Sequence, residues 1–114
     1  MKRINMIKKN DEFKHIIENG VTNKTPYFRS FILPKKEKYF RIGISVPKKF
    51  GSAVLRNKIK RQIRHIINNS TDSFNLKQDC IIIINSNFIS LEFKKKQELL
   101  ENLIKRIGEN HDKK

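Results

Sequence analysis

The chain has 114 residues, 37% of them hydrophobic, enough for one lean core that buries about 65% of the unfolded surface. Its 26 Lys or Arg against 11 Asp or Glu give a formal charge of +15, which repels itself in a compact state unless an anionic partner screens it, nucleic acid first and an acidic membrane surface second. One cysteine, Cys80, excludes an internal disulfide framework, and no stretch approaches the ~20 apolar residues that span a bilayer.

Residues 1–9 are basic and unpatterned and read as a flexible arm; the start, MKRINMIKKNDEF, lacks the apolar run of a signal peptide. A cytoplasmic protein in a reducing compartment is therefore expected. The stretch 10-NDEFKHIIENG-20 reads as a short helix, with Asn10 as N-cap, Asp11 and Glu12 favoured by the helix dipole, and Gly20 as a left-handed stop. Phe13, Ile16 and Ile17 share one face. After Thr25-Pro26, 27-YFRSFIL-33 reads as a strand with aromatics on both faces, followed by a charged turn from Pro34 to Lys38. In 39-YFRIGISV-46, Phe40, Ile42, Ile44 and Val46 alternate with Tyr39, Arg41, Gly43 and Ser45. Together these two runs suggest an antiparallel hairpin.

A helix from Ala53 to Asn68 gathers Leu55, Ile59, Ile63 and Ile66 within a quarter of its circumference at ~100° per residue. Arg56, Lys60 and Arg64, spaced i, i+4, i+8, run beside that stripe, and Asn57 and Arg61 widen the polar face. The run 80-CIIIIN-85 is apolar throughout, as expected of a strand covered on both faces. Ser90 can cap a last helix in which Leu100, Leu103, Ile104 and Ile107 repeat before Gly108, leaving 109–114 as a flexible tail. The order is helix, two strands, helix, strand, helix, in one α+β domain.

Enzyme chemistry finds little support. His15, His65 and His111 have no metal-ligand spacing, Cys80 opens an apolar strand as core packing would require, and no phosphate-binding glycine loop occurs. Asp11 and Glu12, adjacent in a helix, point apart. The charge distribution says more. From Lys38 to Thr71 there is no Asp or Glu and there are nine Lys or Arg. A solvated helix face usually mixes signs for i, i+4 pairs, and a membrane-surface helix favours Trp, Phe or Leu on its apolar face. Against both readings stands a polyanion site: Arg forks and Lys point charges for phosphate, with Asn for a sugar or base edge. Arg29, Phe31, Arg41 and Ser45 could add an aromatic and basic platform for unstacked nucleotides, although Phe31 fits the core equally well.

The run 41-RIGISVPKKFGSAVLRNKIKRQIRHI-66 resembles the signature region of the bacterial ribonuclease P protein subunit, and the likeness extends to 8-KKNDEFKHIIENG-20 and to DCIIII with its final helix. This resemblance implies an α+β fold, a single domain similar to ribosomal protein S5 domain 2, with a left-handed crossover through the basic helix. It implies too that the chain binds the catalytic RNA and the 5′ leader of precursor tRNA, one protein per RNA and without a membrane, while the RNA and its Mg2+ perform the cleavage. By the same likeness Lys48, Lys49, Arg56, Asn57, Lys58, Lys60, Arg61 and Arg64 match the RNA-facing motif. Phe13, Ile17, Phe31 and Ser45 match the leader cleft, the resemblance favouring the cleft for Phe31. Two positions depart: Lys58 stands where Arg is common, and Ile17 where close relatives carry a second aromatic. The core expected on this reading is Phe28, Ile32, Phe40, Ile42, Ile44, Val46, Ile59, Ile63 and Ile81 to Ile84.

Overall fold

The structure, a computed structural model, describes residues 5–34, 40–70 and 78–112. Most of the charged turn, Tyr39, the polar loop 71–77, the first four residues and the last two lie outside the described residues. Five strands, β1 (Asn5–Met6), β2 (Val21–Lys24), β3 (Phe28–Pro34), β4 (Arg41–Ser45) and β5 (Gln78–Ile84), form one mixed sheet in the order β1-β4-β5-β3-β2. The helices are α1 (Asn10–Asn19), α2 (Ala53–Ser70), α3 (Ser86–Ile89) and α4 (Phe93–Asp112), with a 3-10 turn at Lys48–Phe50 before α2.

The expected hairpin does not form. β5 lies between β3 and β4, antiparallel to the first and parallel to the second. Burial decides this: β5 is apolar on both sides from Cys80 onward and has six of its seven residues buried, so it takes the centre of the sheet and separates two strands that are neighbours in sequence. The arm also does more than expected. Asn5 and Met6 pair in parallel with Arg41 and Ile42, and Ile7 is buried.

Alternation sorts side chains to two faces, as expected of β4. Phe28, Ile42, Ile44, Cys80, Ile82 and Ile84 pack with α2, α3 and α4 in the main core. Ile59, Ile63, Ile66 and Ile67 dock α2 there, a gross gain of about 6–12 kcal/mol before entropy is counted. Leu55 stays exposed in the first turn, so the docking stripe starts one turn later than expected. On the other face Ile7, Ile16, Phe31 and Ile81 form a smaller cluster beneath α1, with Phe13, Ile17, Leu33 and Ile83 packed against it. The single core expected thus divides at the sheet: Ile81 and Ile83 belong to the α1 side, and Ile32 is only half-buried.

Helix ends differ in detail. Asn10 is the first helical residue and Lys9 holds the cap position without a side-chain bond. Gly20 is extended (φ −80°, ψ 163°), because the chain passes straight into β2; a glycine is needed there since a Cβ would lie 2.7 Å from the Ile16 carbonyl oxygen. Ser90 closes α3, its Oγ–H donating to the Asn87 carbonyl, and α4 starts at Phe93 and continues through Gly108.

Candidate nucleic-acid interface

Entry into α2 is set by Gly51 and Ser52. Gly51 has φ +151°, and a Cβ there would meet Leu55 Cδ2 at 2.5 Å. Ser52 Oγ accepts from the Leu55 N–H at 3.3 Å, and the Ser52 carbonyl accepts from the Arg56 N–H at 2.9 Å. The Arg56 Nε–H donates to the Gly51 carbonyl at 3.3 Å, which turns the guanidinium back across this bend. No carboxylate stands in the first turn of α2, so neither side chains nor the helix dipole are satisfied by acids there.

The expected row of cations has a definite place. Arg56, Lys60 and Arg64 form one wall of an open groove of about 640 Å³. Its other boundaries are Met6, Ile7, Lys8 and Asn10 from the arm and α1, Ile44 to Lys48 from the end of β4, and Phe13. Six residues singled out by sequence therefore meet in one groove: Phe13, Ser45, Lys48, Arg56, Lys60 and Arg64. Asn57, Lys58 and Arg61 are exposed on the outer faces of α2. Lys49 is exposed on the 3-10 turn, its Nζ 5.3 Å from the centre of the Phe50 ring.

The floor on the α1 side is built around a glycine. A Cβ on Gly43 would lie 2.7 Å from Phe13 Cζ and 2.6 Å from Ile81 Cδ1, so the Phe13 ring rests directly on the sheet. Phe13 and Ile17 remain half-buried. In the next row of the sheet Ser45, Ile83 and Arg29 are register partners, and none is fully buried. Phe31 is different: at 5% exposure under α1 its ring faces are closed to a base, and Arg29 covers it at 5.9 Å. The reason is register, since Phe31 pairs with Ile81 at the level where α1 crosses.

Arg41 is likewise not a free platform cation. Its Nε–H and one terminal N–H donate to the two Asp79 oxygens at 3.0 and 2.7 Å, and the other donates to Glu12 at 2.9 Å. These bonds hold its pKa above the ordinary arginine value, with the Asp79 hydrogen bond the largest cause. The triad ties α1 to β4 and β5 and so fixes Phe13 over Gly43. Cys80 is fully buried, and burial pushes its thiol up to about 12, Asp79 adding to the effect. It is core packing, as expected.

Sequence reasoning missed the arm side of the groove and Ile83. Met6 and Ile7 carry too short a pattern to announce a strand, and the unbroken apolar run of β5 hides which of its isoleucines is only half-covered.

A model of the Ribonuclease P family matches residues 1–108. The ribonuclease P protein component of Mycoplasma mobile is 41% identical over 114 residues, covering 99% of this chain and 98% of the relative. That of Bacillus cereus is 39% identical over 115 residues, covering the whole of both. The Staphylococcus aureus RNase P protein superposes with a TM-score of 0.82 at 35% identity, over 93% of this chain and 99% of that one. The Thermotoga maritima RNase P protein gives 0.80 at 29% identity, over 94% and 98%. Matched in sequence and in fold along nearly its full length, the chain belongs to the ribonuclease P protein family.

Proposed function

We propose that this chain is the protein subunit of ribonuclease P: it binds the catalytic RNA and the 5′ leader of precursor tRNA and assists removal of that leader. The observation that carries this reading is the groove in which the Arg56, Lys60 and Arg64 wall faces Phe13 and Ser45. A cation wall holds phosphates at fixed spacing, while a half-buried aromatic beside an open strand end suits an unstacked single-stranded nucleotide. On this reading Lys48, Lys49, Asn57, Lys58 and Arg61 extend the RNA surface, and Ile17 lines the leader path by apolar contact. Phe31 supports the floor from below instead of stacking.

Hydrolysis is assigned to the RNA, with Mg2+ held mainly by that subunit. Of the carboxylates Asp11, Glu12 and Asp79, which line a separate pocket beside α1, Glu12 and Asp79 are engaged by Arg41. The reading includes one protein per RNA, a cytoplasmic location and no membrane partner. The parallel neighbours β4 and β5 are joined through α2, which supports the crossover of an S5-like domain; we assign it the left hand.

The test is reconstitution. The purified protein, added to the cognate catalytic RNA at low Mg2+, is expected to stimulate leader removal from precursor tRNA. No stimulation with correctly folded RNA would sink the proposal.

A further inference from the structure

The edge of α2 away from the groove carries a second arrangement that the row of cations does not explain. Lys58 and Gln62 lie i, i+4 on α2, about 180° around the helix from the middle of the groove row at ~100° per residue. Lys96 of α4 reaches them: its Nζ donates to Gln62 Oε1 at 3.1 Å and stands 5.6 Å from the centre of the Phe88 ring. Lys96 is buried at 6% exposure. Among the described residues no carboxylate pairs with Lys96 or Lys58; the neighbouring Glu98 lies 3.9 Å from Lys95 instead. Burial and then the charge of Lys58 lower the pKa of Lys96.

Elementary chemistry gives this arrangement two consequences. An ammonium has only donors, so its bond to Oε1 fixes the Gln62 amide with the oxygen inward and both Nε2 donors outward. A buried cation without a counter-ion is costly, and Lys96 stands one turn into α4, close to the end where the helix dipole disfavours positive charge. All of these costs fall when an anion sits at the outer side of Gln62 and Lys58.

We propose that RNA grips α2 on both edges, and that the second contact is a backbone phosphate held by the outward amide of Gln62 and the ammonium of Lys58, with Lys96 as the positioning residue. This rests on the RNA-binding reading above, which already puts Lys58 on the RNA surface, and adds Gln62 as a ligand and Lys96 as the residue that orients it. Lys96 acts through Gln62, whose amide it orients.

The experiment measures the affinity of the full chain for the cognate catalytic RNA and, separately, for precursor tRNA, over a series of KCl concentrations. Gln62→Leu and Lys96→Met are each expected to weaken binding about ten- to a hundredfold, as loss of one hydrogen bond to a charged group implies, and the double variant no further. Lys58→Ala should lower the salt slope by about 0.7 to 0.9. Loss with the catalytic RNA assigns the phosphate to it, and loss with precursor tRNA alone assigns it to the substrate. Should Lys96→Met fail to fold, Gln62→Glu decides: it keeps an acceptor toward Lys96 but removes both donors, so it must fold and bind weakly. Losses that multiply in the double variant, or wild-type binding by Gln62→Glu while Arg56→Ala still weakens it, would overturn the proposal. If Arg56→Ala and Arg64→Ala are silent as well, the RNA-binding reading fails, and this contact fails with it.

Discussion

Replacing Gly43 by Ala puts a methyl group where Phe13 Cζ and Cε2 lie 2.7 and 2.9 Å away and Ile81 Cδ1 lies 2.6 Å away. Ordinary carbon contacts are about 3.5–4.0 Å, so both side chains must give by roughly 1 Å. Ile81 is fully buried and has little room, whereas Phe13 is half-buried and can lift off the sheet. Overpacking of this kind costs about 1–3 kcal/mol. Phe13→Ala alone loses less than the 3–5 kcal/mol of a fully buried ring, about 2 kcal/mol. In the double variant the ring clash is gone and only the Ile81 contact remains. The two changes should then sum to at least about 0.5–1 kcal/mol less than their separate costs. Urea denaturation of the four proteins measures this cycle. Strict additivity, or a Gly43→Ala variant as stable as wild type, would show that the ring does not rest on the sheet and would refute the geometry of the groove floor.

The same contacts set three other expected outcomes. Arg41→Ala leaves Asp79, 5% exposed at its side chain, without its bidentate partner; a loss of about 3 kcal/mol is expected in denaturant melts, and a loss under 1 kcal/mol would mean that the triad is not structural. Cys80, buried and with its thiol pushed up to about 12, should resist aromatic disulfide reagents at pH 8 until the protein is unfolded in urea; immediate labelling of the native chain contradicts its burial. Arg56→Ala and Arg64→Ala should each weaken binding to the catalytic RNA and lower the salt slope by about 0.7 to 0.9, and an unchanged slope removes that side chain from the interface.

Local periodicity carried much of this in the sequence. The i, i+4, i+8 spacing of Arg56, Lys60 and Arg64 places them on one edge of α2 whatever the helix packs against, and the isoleucines beside them name the docking side. Alternation in β4 likewise sorted Arg41, Gly43 and Ser45 to one face. What alternation cannot give is a partner. Arg41 reads as a free cation because Glu12 and Asp79 are 29 and 38 residues away, and only the sheet brings them to it. The hairpin expectation failed for the same reason: nearness in sequence favours pairing β3 with β4, but burial of β5 on both faces outweighs it. Phe31 was undecided because period two fixes a face and not the level at which a helix crosses it. Gln62 looks like an ordinary polar position until Lys96, 34 residues later, is seen to lock its amide.

The central claim is that one groove joins a leader floor to a wall for RNA and keeps the two functions separable. It is tested most directly by the ratio of precursor to mature tRNA affinity of the reconstituted holoenzyme, measured beside the protein's affinity for the catalytic RNA. Phe13→Ala is predicted to lower the ratio while affinity for the catalytic RNA stays near wild type, and Arg64→Ala to lower that affinity first. A Phe13→Ala holoenzyme with an unchanged ratio, or equal losses in both measurements for both variants, would contradict it.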